Sequence, residues 1–348
     1  MSSSVQSSTG PPFSLLVMGA GSLGLLFGGL AASAPGVRVT VVGRRQHVEV
    51  IRAAGIRIVG PDESARHVGP SALNAVTDLA TLTGHFDFVL IATKRYDLEL
   101  TLRQLRAIRE RVAAVFSLQN GIDHDTRIGE ALGASRVLGA TTMEGAATLE
   151  FGVVKRLVAS TTYIGESDGH ASPRALDLVA LLNRCGLRTE LTNEIGAVQW
   201  TKFVQGCAAS GVCGVTRRGY AAATATDAGA SLYVRLVKEG AAVMEALGMS
   251  PGSFFTDAAQ VADVARLPES RAVELVKETA AGLLERGHTG STSLARDLQG
   301  GRRTENDALL GTMCRIAGEH GVAVPTMEAV CFAIGAAEEA AGASPRSE

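Results

Sequence analysis

The sequence predicts an α/β chain: a doubly wound, mostly parallel sheet in the first half and an all-helical domain in the second. Three observations carry that expectation. An apolar run at residues 15–18 passes straight into Gly19-Ala20-Gly21-Ser22-Leu23-Gly24 and then a small-residue helical stretch. Buried-strand patterns recur at 37–42, 87–93 and 113–118, with helical segments between them. From Asn193 onward the chain turns Ala-rich, strand-poor and helical in period. The expected divisions are a disordered leader at 1–12, a first domain at 13–192, a helical domain at 193–342 and a loose tail at 343–348.

The glycine run takes its meaning from its setting. Strand, G-x-G-x-x-G, helix, strand is the arrangement of a dinucleotide-binding Rossmann unit. Gly19 permits a tight turn, Gly21 lets a pyrophosphate approach the backbone, and Gly24 lets the helix lie close to the sheet. Ala20, Ser22 and Leu23 offer main-chain N–H groups at the helix N-terminus, where phosphate is favoured. Gly28, one turn further, continues the close-packing face. The stretch from Phe13 to Val37 carries no charge, so a membrane helix packing through Gly24-x-x-x-Gly28 and a signal peptide ending near Ala32-Ser33-Ala34 compete with this reading. The leader has no basic residue, and a span would leave the strand at 37–42 unexplained.

The second strand ends in Val42-Gly43-Arg44-Arg45, with no carboxylate before Glu49. An NAD site ordinarily has an acidic residue there, bonding the ribose 2′-hydroxyl. A guanidinium instead suits a 2′-phosphate, so Arg44 predicts NADP(H).

A helix at 47–54 follows, then a short strand or hairpin arm at 55–60 returned by 65–75. The strand at 87–93 leads directly into Lys94, which stands either at the cofactor edge or in solvent. A helix at 97–112 precedes the strand at 113–118, closed by Gln119-Asn120-Gly121. Asn120 is either a turn residue or a binding amide at the carboxyl end of a core strand. Segments 137–142, 152–156 and 162–165 read as strands extending the sheet. A helix at 173–185 and a strand at 187–191 complete the domain.

In the second domain a helix at 193–211 places Lys202, Gly206 and Ser210 at i, i+4 and i+8, on one face. Further helices are expected at 231–247, 272–286 and 295–299, with a last one from about residue 326. Thr304-Glu305-Asn306-Asp307 has the spacing of a capping box, putting Glu305 in a first helical turn.

Composition sets outer bounds. The chain has 348 residues, a net charge of −2 and 46% hydrophobic residues, ample for two cores and unsuited to nucleic acid or an anionic membrane as partner. Five cysteines without C-x-x-C spacing and seven scattered histidines suggest reduced thiols, a cytoplasmic setting and no metal site. The apolar helical surface of the second domain is compatible with a homodimer.

The ordered series of motifs resembles the ketopantoate reductases, the NADP-dependent 2-dehydropantoate 2-reductases of pantothenate biosynthesis, from Leu15 to about Ala340. The matching pieces are the glycine run, Val42-Gly43-Arg44, Lys94, Leu118-Gln119-Asn120-Gly121, Trp200-Thr201-Lys202, Ser293-Leu294-Ala295-Arg296-Asp297, the run from Gly301 to Asp307, and His320-Gly321-Val322-Ala323-Val324-Pro325. The resemblance implies a Rossmann domain followed by a helical domain of the 6-phosphogluconate dehydrogenase C-terminal type. It implies Lys202 as proton donor, Glu305 as its acidic partner, Asn120 near nicotinamide and substrate, Ser293 as a substrate-binding serine, and Arg44 and Lys94 as the NADP-favouring residues. The implied reaction is reduction of a 2-oxo acid, first of all ketopantoate to pantoate. Where that family usually has asparagine, this chain has Gly206, Ser210 and Gly290, so a bulkier or less polar 2-oxo acid is the alternative. A non-catalytic NADP(H)-binding sensor is the other.

Overall fold

The computed structural model describes residues 13–255 and 259–342; the expected leader and tail lie outside them. The chain forms two compact units. The first runs to Ile195 apart from Asn120–Ile122, and the second takes those three residues and the chain from Gly196 onward.

In the first unit the strands are β1 (Phe13–Met18), β2 (Val37–Val42), β3 (Ile56–Val59), β4 (Ala65–Val68), β5 (Leu73–Val76), β6 (Phe86–Ile91), β7 (Val112–Ser117), β8 (Val137–Thr142), β9 (Gly145–Glu150), β10 (Val153–Val158), β11 (Thr162–Gly165) and β12 (Thr189–Leu191). Its helices are α1 (Ser22–Ala32), α2 (Arg45–Ala54), α3 (Leu98–Arg106), α4 (His124–Leu132) and α5 (Pro173–Arg184). Eight strands make the main sheet in the order β12-β11-β8-β7-β6-β1-β2-β5, parallel except where β11 meets β8. The strand order reverses direction at β1, which lies between β2 and β6, so the ends of these three strands meet at the switch point where such sheets bind ligands.

A second sheet, β4-β3-β10-β9, corrects the expectation that residues 152–156 extend the first. The reason is α1, whose residues Gly24–Ala31 are all buried. A helix apolar on every side needs cover on every side. One flank presses on the main sheet, where a Cβ on Gly28 would lie 3.4 Å from Val17 and 3.5 Å from Val41. The opposite flank meets the small sheet, where a Cβ on Gly29 would lie 2.9 Å from Ile58. The uncharged stretch is thus a buried core helix, and no helix among the described residues is long and apolar enough to cross a membrane. Arg156 of β10 anchors the small sheet through a paired contact with the buried carboxylate of Glu144, between β8 and β9.

Other departures are local. The segment 65–75 is two strands: β4 returns along β3 as expected, while a 3-10 turn at Pro70–Ala72 sends β5 to the edge of the main sheet. The helix expected to reach residue 112 ends at Arg106, and Val112 opens β7. Neither β9 nor α4 was evident in the sequence pattern.

The second unit is helical: α6 (Ile195–Thr216), α7 (Tyr220–Thr224), α8 (Asp227–Ala246), α9 (Val261–Arg266), α10 (Glu269–Glu285), α11 (Ser293–Gln299), α12 (Thr312–Glu319) and α13 (Pro325–Ala340). α6 runs through its core. Val204 fills the space that a Cβ on Gly240 of α8 would take, at 2.9 Å, and Gly211 admits Leu236 and Val330 equally closely. The expected capping box at 304–307 does not form. The Thr304 N–H donates to Glu338 Oε1 at 2.7 Å, leaving no partner role for Asp307. A wide π-turn, Asp307–Gly311, leads into α12, with Gly311 N–H bonded five residues back to Asn306 O. Glu305 therefore stands just ahead of the turn, its carbonyl accepting from Leu309 N–H, rather than within it.

Gly24→Ala is expected to destabilise the chain by about 3 kcal/mol through overpacking. Its Cβ would fall 1.8 Å from Gly19 O, so helix and turn must separate. Denaturant unfolding checks this, and an unchanged midpoint contradicts it.

Candidate active site

The candidate cofactor residues come together at the carboxyl ends of adjacent parallel strands. Gly19 N–H bonds Val42 O at 2.9 Å, and Ala92 N–H bonds Met18 O at 2.9 Å, which ties the ends of β1, β2 and β6 side by side. Gly19 has φ +110°, and a Cβ there would lie 2.9 Å from Thr93 N, so both backbone angle and crowding require glycine. Gly21 is different: it is exposed, and a Cβ on it would meet nothing within 4 Å. Its bareness serves no contact inside the unit and leaves the backbone open to an approaching group. Ala20, buried, supports the turn from beneath Gly43, whose own Cβ would strike it at 2.8 Å. Leu23 packs against the apolar core. The Ser22 hydroxyl is bound to Thr148 of β9, accepting from its N–H at 3.0 Å, so the side chain latches the turn to the small sheet.

Arg44 caps α2 and is exposed, its guanidinium 3.6 Å from Asp97 Oδ2 in the 3-10 turn after β6. Lys94 is half-buried at the start of that turn. Two clamps that sequence reasoning passed over fix this loop. Gln119 Nε2 donates to Thr93 O at 2.8 Å and to Lys94 O at 3.1 Å, and Arg95 makes a paired ion contact with Asp123. Gln119 was visible only as part of Gln119-Asn120-Gly121, and spacing gave no sign that its amide reaches across to β6. Glycine cradle, helix N-terminus and basic strand ends together form a set of donors suited to an anionic ligand.

In the helical unit Asn120 Nδ2 donates to Glu305 Oε2 at 3.3 Å, and Lys202, in the second turn of α6, lies within range of the Glu305 charge. Asn120 is more than a turn residue: with Gly121 at φ +101° and Ile122 packed into the helical core, its segment belongs to this unit. Burial pushes the Lys202 ammonium down to about 8, and the Glu305 charge opposes that shift. Glu305 itself is 6% exposed, so its charge acts on Lys202 where water screens it poorly. The neighbouring turns of α6 hold Lys202 in place: Thr201 Oγ1 accepts from Gly252 N–H at 3.0 Å, and Trp200 packs edge-on to the buried Phe203 at 5.6 Å.

Gly206 follows Lys202 by one turn, and a Cβ on it would meet nothing within 4 Å. Ser210, two turns on, is buried. Ser293 opens α11 behind the capping hydroxyl of Thr292. These three are placed by helix position alone. Gly290, also open on its Cβ side, accepts Tyr220 N–H on its carbonyl and so seats α7. No group of His, Cys, Asp and Glu among the described residues can hold a metal ion.

The chain is similar to known proteins over almost all its length. Residues 15–169 match the family described as ketopantoate reductase PanE/ApbA, and residues 194–338 match its C-terminal domain. The 2-dehydropantoate 2-reductase of Halobacterium salinarum is 29% identical over 316 residues, covering 90% of this chain and 95% of that protein. Among solved structures, the PanE/ApbA family ketopantoate reductase of Ralstonia eutropha JMP134 aligns with TM-score 0.77 at 23% identity, covering 95% of this chain and all of that one. D-mandelate dehydrogenase, solved with NADH and anilino(oxo)acetate, aligns with TM-score 0.79 at 18% identity and the same coverage, a likeness of fold. With both domains matched in order, this chain belongs to the ketopantoate reductase PanE/ApbA family and is an oxidoreductase of that type.

Proposed function

We propose that the chain reduces a 2-oxo acid to the 2-hydroxy acid with NADPH, and that its substrate is 2-dehydropantoate, giving pantoate. The observation that carries this reading is the trio of Lys202, Glu305 and Asn120, a buried ammonium under the influence of a carboxylate that itself accepts from an amide. When bound, the dihydronicotinamide supplies the hydride. Charge then develops on the carbonyl oxygen, and the Lys202 ammonium both stabilises it and gives it a proton. An amine lowered to about 8 is still mostly protonated at neutral pH yet gives up its proton readily. Glu305 holds the ammonium in position and accepts a hydrogen bond from the new hydroxyl. Asn120 orients that carboxylate and, with Ser293 and Ser210, provides donors for an oxo-acid carboxylate. Gly19 to Gly24 hold the pyrophosphate by main-chain N–H groups, while Arg44 and Lys94 bind the ribose phosphate.

A second reading keeps the reaction and changes the substrate. The open side of Gly206, one turn from Lys202, leaves room for a bulkier, less polar 2-oxo acid, and Gly290 stands where an amide is usual. The D-mandelate dehydrogenase of like fold was solved with anilino(oxo)acetate, so an aryl 2-oxo acid is the compound to set against 2-dehydropantoate.

Lys202→Ala is expected to lower kcat by about 100- to 10,000-fold, the span of a lost general acid, with NADPH affinity kept. NADPH oxidation measured with both 2-oxo acids tests the substrate at the same time: turnover unaffected by the change removes Lys202 from the chemistry, and faster turnover of the aryl acid favours the second reading. Because the protonated amine is the acid, the rate of reduction should fall as pH rises through about 8, while oxidation of the hydroxy acid gains. Glu305→Gln removes the charge that holds the amine up, so the same limb should move to lower pH; a profile fixed in place would separate Glu305 from Lys202. Arg44→Ala should cut kcat/KM for NADPH roughly tenfold, the scale of a charged but exposed contact, and leave NADH unchanged. Equal use of both cofactors by the parent enzyme would overturn the role given to Arg44.

A further inference from the structure

The side-chain amide of Gln119 is used at one end only. The residue lies just past β7 and is 7% exposed. Its Nε2 donates to Thr93 O at 2.8 Å, to Thr93 Oγ1 at 3.2 Å and to Lys94 O at 3.1 Å. Carbonyl oxygens only accept, so the nitrogen end has to face this loop. The other end, Oε1, is buried and has no hydrogen-bond partner among the described residues. An unpaired buried acceptor costs stability, and Gln119 bears that cost while giving its N–H bonds to Thr93 and Lys94. Its own root is fixed to the sheet: Gln119 N–H donates to Ser117 Oγ at 3.2 Å, and Leu118 N–H to Ile91 O at 3.1 Å. Lys94 O accepts a second bond from Asp97 N–H at 2.9 Å, which closes the 3-10 turn after β6. The main chain at Lys94 is thus held from two sides, by its own turn and by the neighbouring strand end.

We propose that Gln119 is a positioning residue for the cofactor: its amide fixes the main chain under Lys94 and so sets how strongly NADPH is preferred over NADH. This rests on the reading of Lys94 as a ligand of the ribose phosphate. A lysine carries its charge on a flexible four-carbon stem, so the reach of the ammonium depends on where the backbone roots it. Attraction between ammonium and phosphate falls off with their separation. A displaced loop therefore weakens the hold on NADPH and spares NADH, which has no phosphate at that place. Gln119 acts through Lys94, without a contact of its own to the cofactor.

The test is to measure dissociation constants of the full chain for NADPH and NADH, by nicotinamide fluorescence, in Gln119→Met, Lys94→Ala and the double variant. Methionine keeps the length of glutamine and removes its donors. NADPH binding should weaken about tenfold in either single variant, the scale of one lost charged contact, with NADH binding little changed. Because one residue works through the other, the double variant should bind NADPH no more weakly than Lys94→Ala alone. Gln119→Glu, of the same shape with no N–H to give, supplies the same readings should the methionine variant fail to fold. NADPH binding untouched by Lys94→Ala would remove the reading of Lys94, and this role with it. Where Lys94→Ala does weaken NADPH, the role of Gln119 alone is overturned by unchanged NADPH binding in Gln119→Met, by an equal loss for both cofactors, or by additive losses in the double variant.

Discussion

The first unit rests on one steric constraint: α1 must touch two sheets at once. Glycines at 24, 28 and 29 remove the side chains that would hold either sheet away. The close approach brings the helix N-terminus down onto the ends of β1, β2 and β6, so the residues that set the packing also set where the helix N-terminus points. It also accounts for the small sheet, which covers the helix flank that the main sheet leaves bare. The Ser22–Thr148 link then joins that cover to the turn itself.

The helical unit solves a different problem, that of keeping a charge where water is scarce. An ammonium taken out of water is costly unless a counter-charge stands near it. Glu305 provides that, and Asn120 spends a donor on Glu305 so that the carboxylate is itself held. Burial still dominates at Lys202, and the Glu305 charge offsets only part of it.

Much of the fold could be read in advance because its signals are local. The glycine turn, the strand at 37–42 and Arg44 follow from adjacent residues whose backbone demands are specific. Spacing put Lys202 on one face of α6 with Gly206 and Ser210, but the expectation that it acts with Glu305 came only by resemblance, since a hundred residues separate them. What could not be read was non-local. β9 and β10 look like any short half-exposed strands, and nothing in their pattern says which sheet will take them; that depends on α1 needing a second cover. Thr304 has the right neighbour for a capping box, but Glu338, far along the chain, claims its N–H first. The hydrogen bonds of Gln119 to Thr93 and Lys94 likewise exist only once β6 and β7 lie side by side.

The π-turn at Asp307–Gly311 carries one residue more than a regular helix would need there. In an α-helix each residue advances the chain by about 100°, so removing one from this wide loop would swing everything before it around the axis of α12. Glu305 would then face a different quadrant from the one Lys202 occupies. The surplus residue acts as a fixed angular offset, and shortening this segment by a single position would turn the Glu305 carboxylate away from Asn120 without altering either side chain.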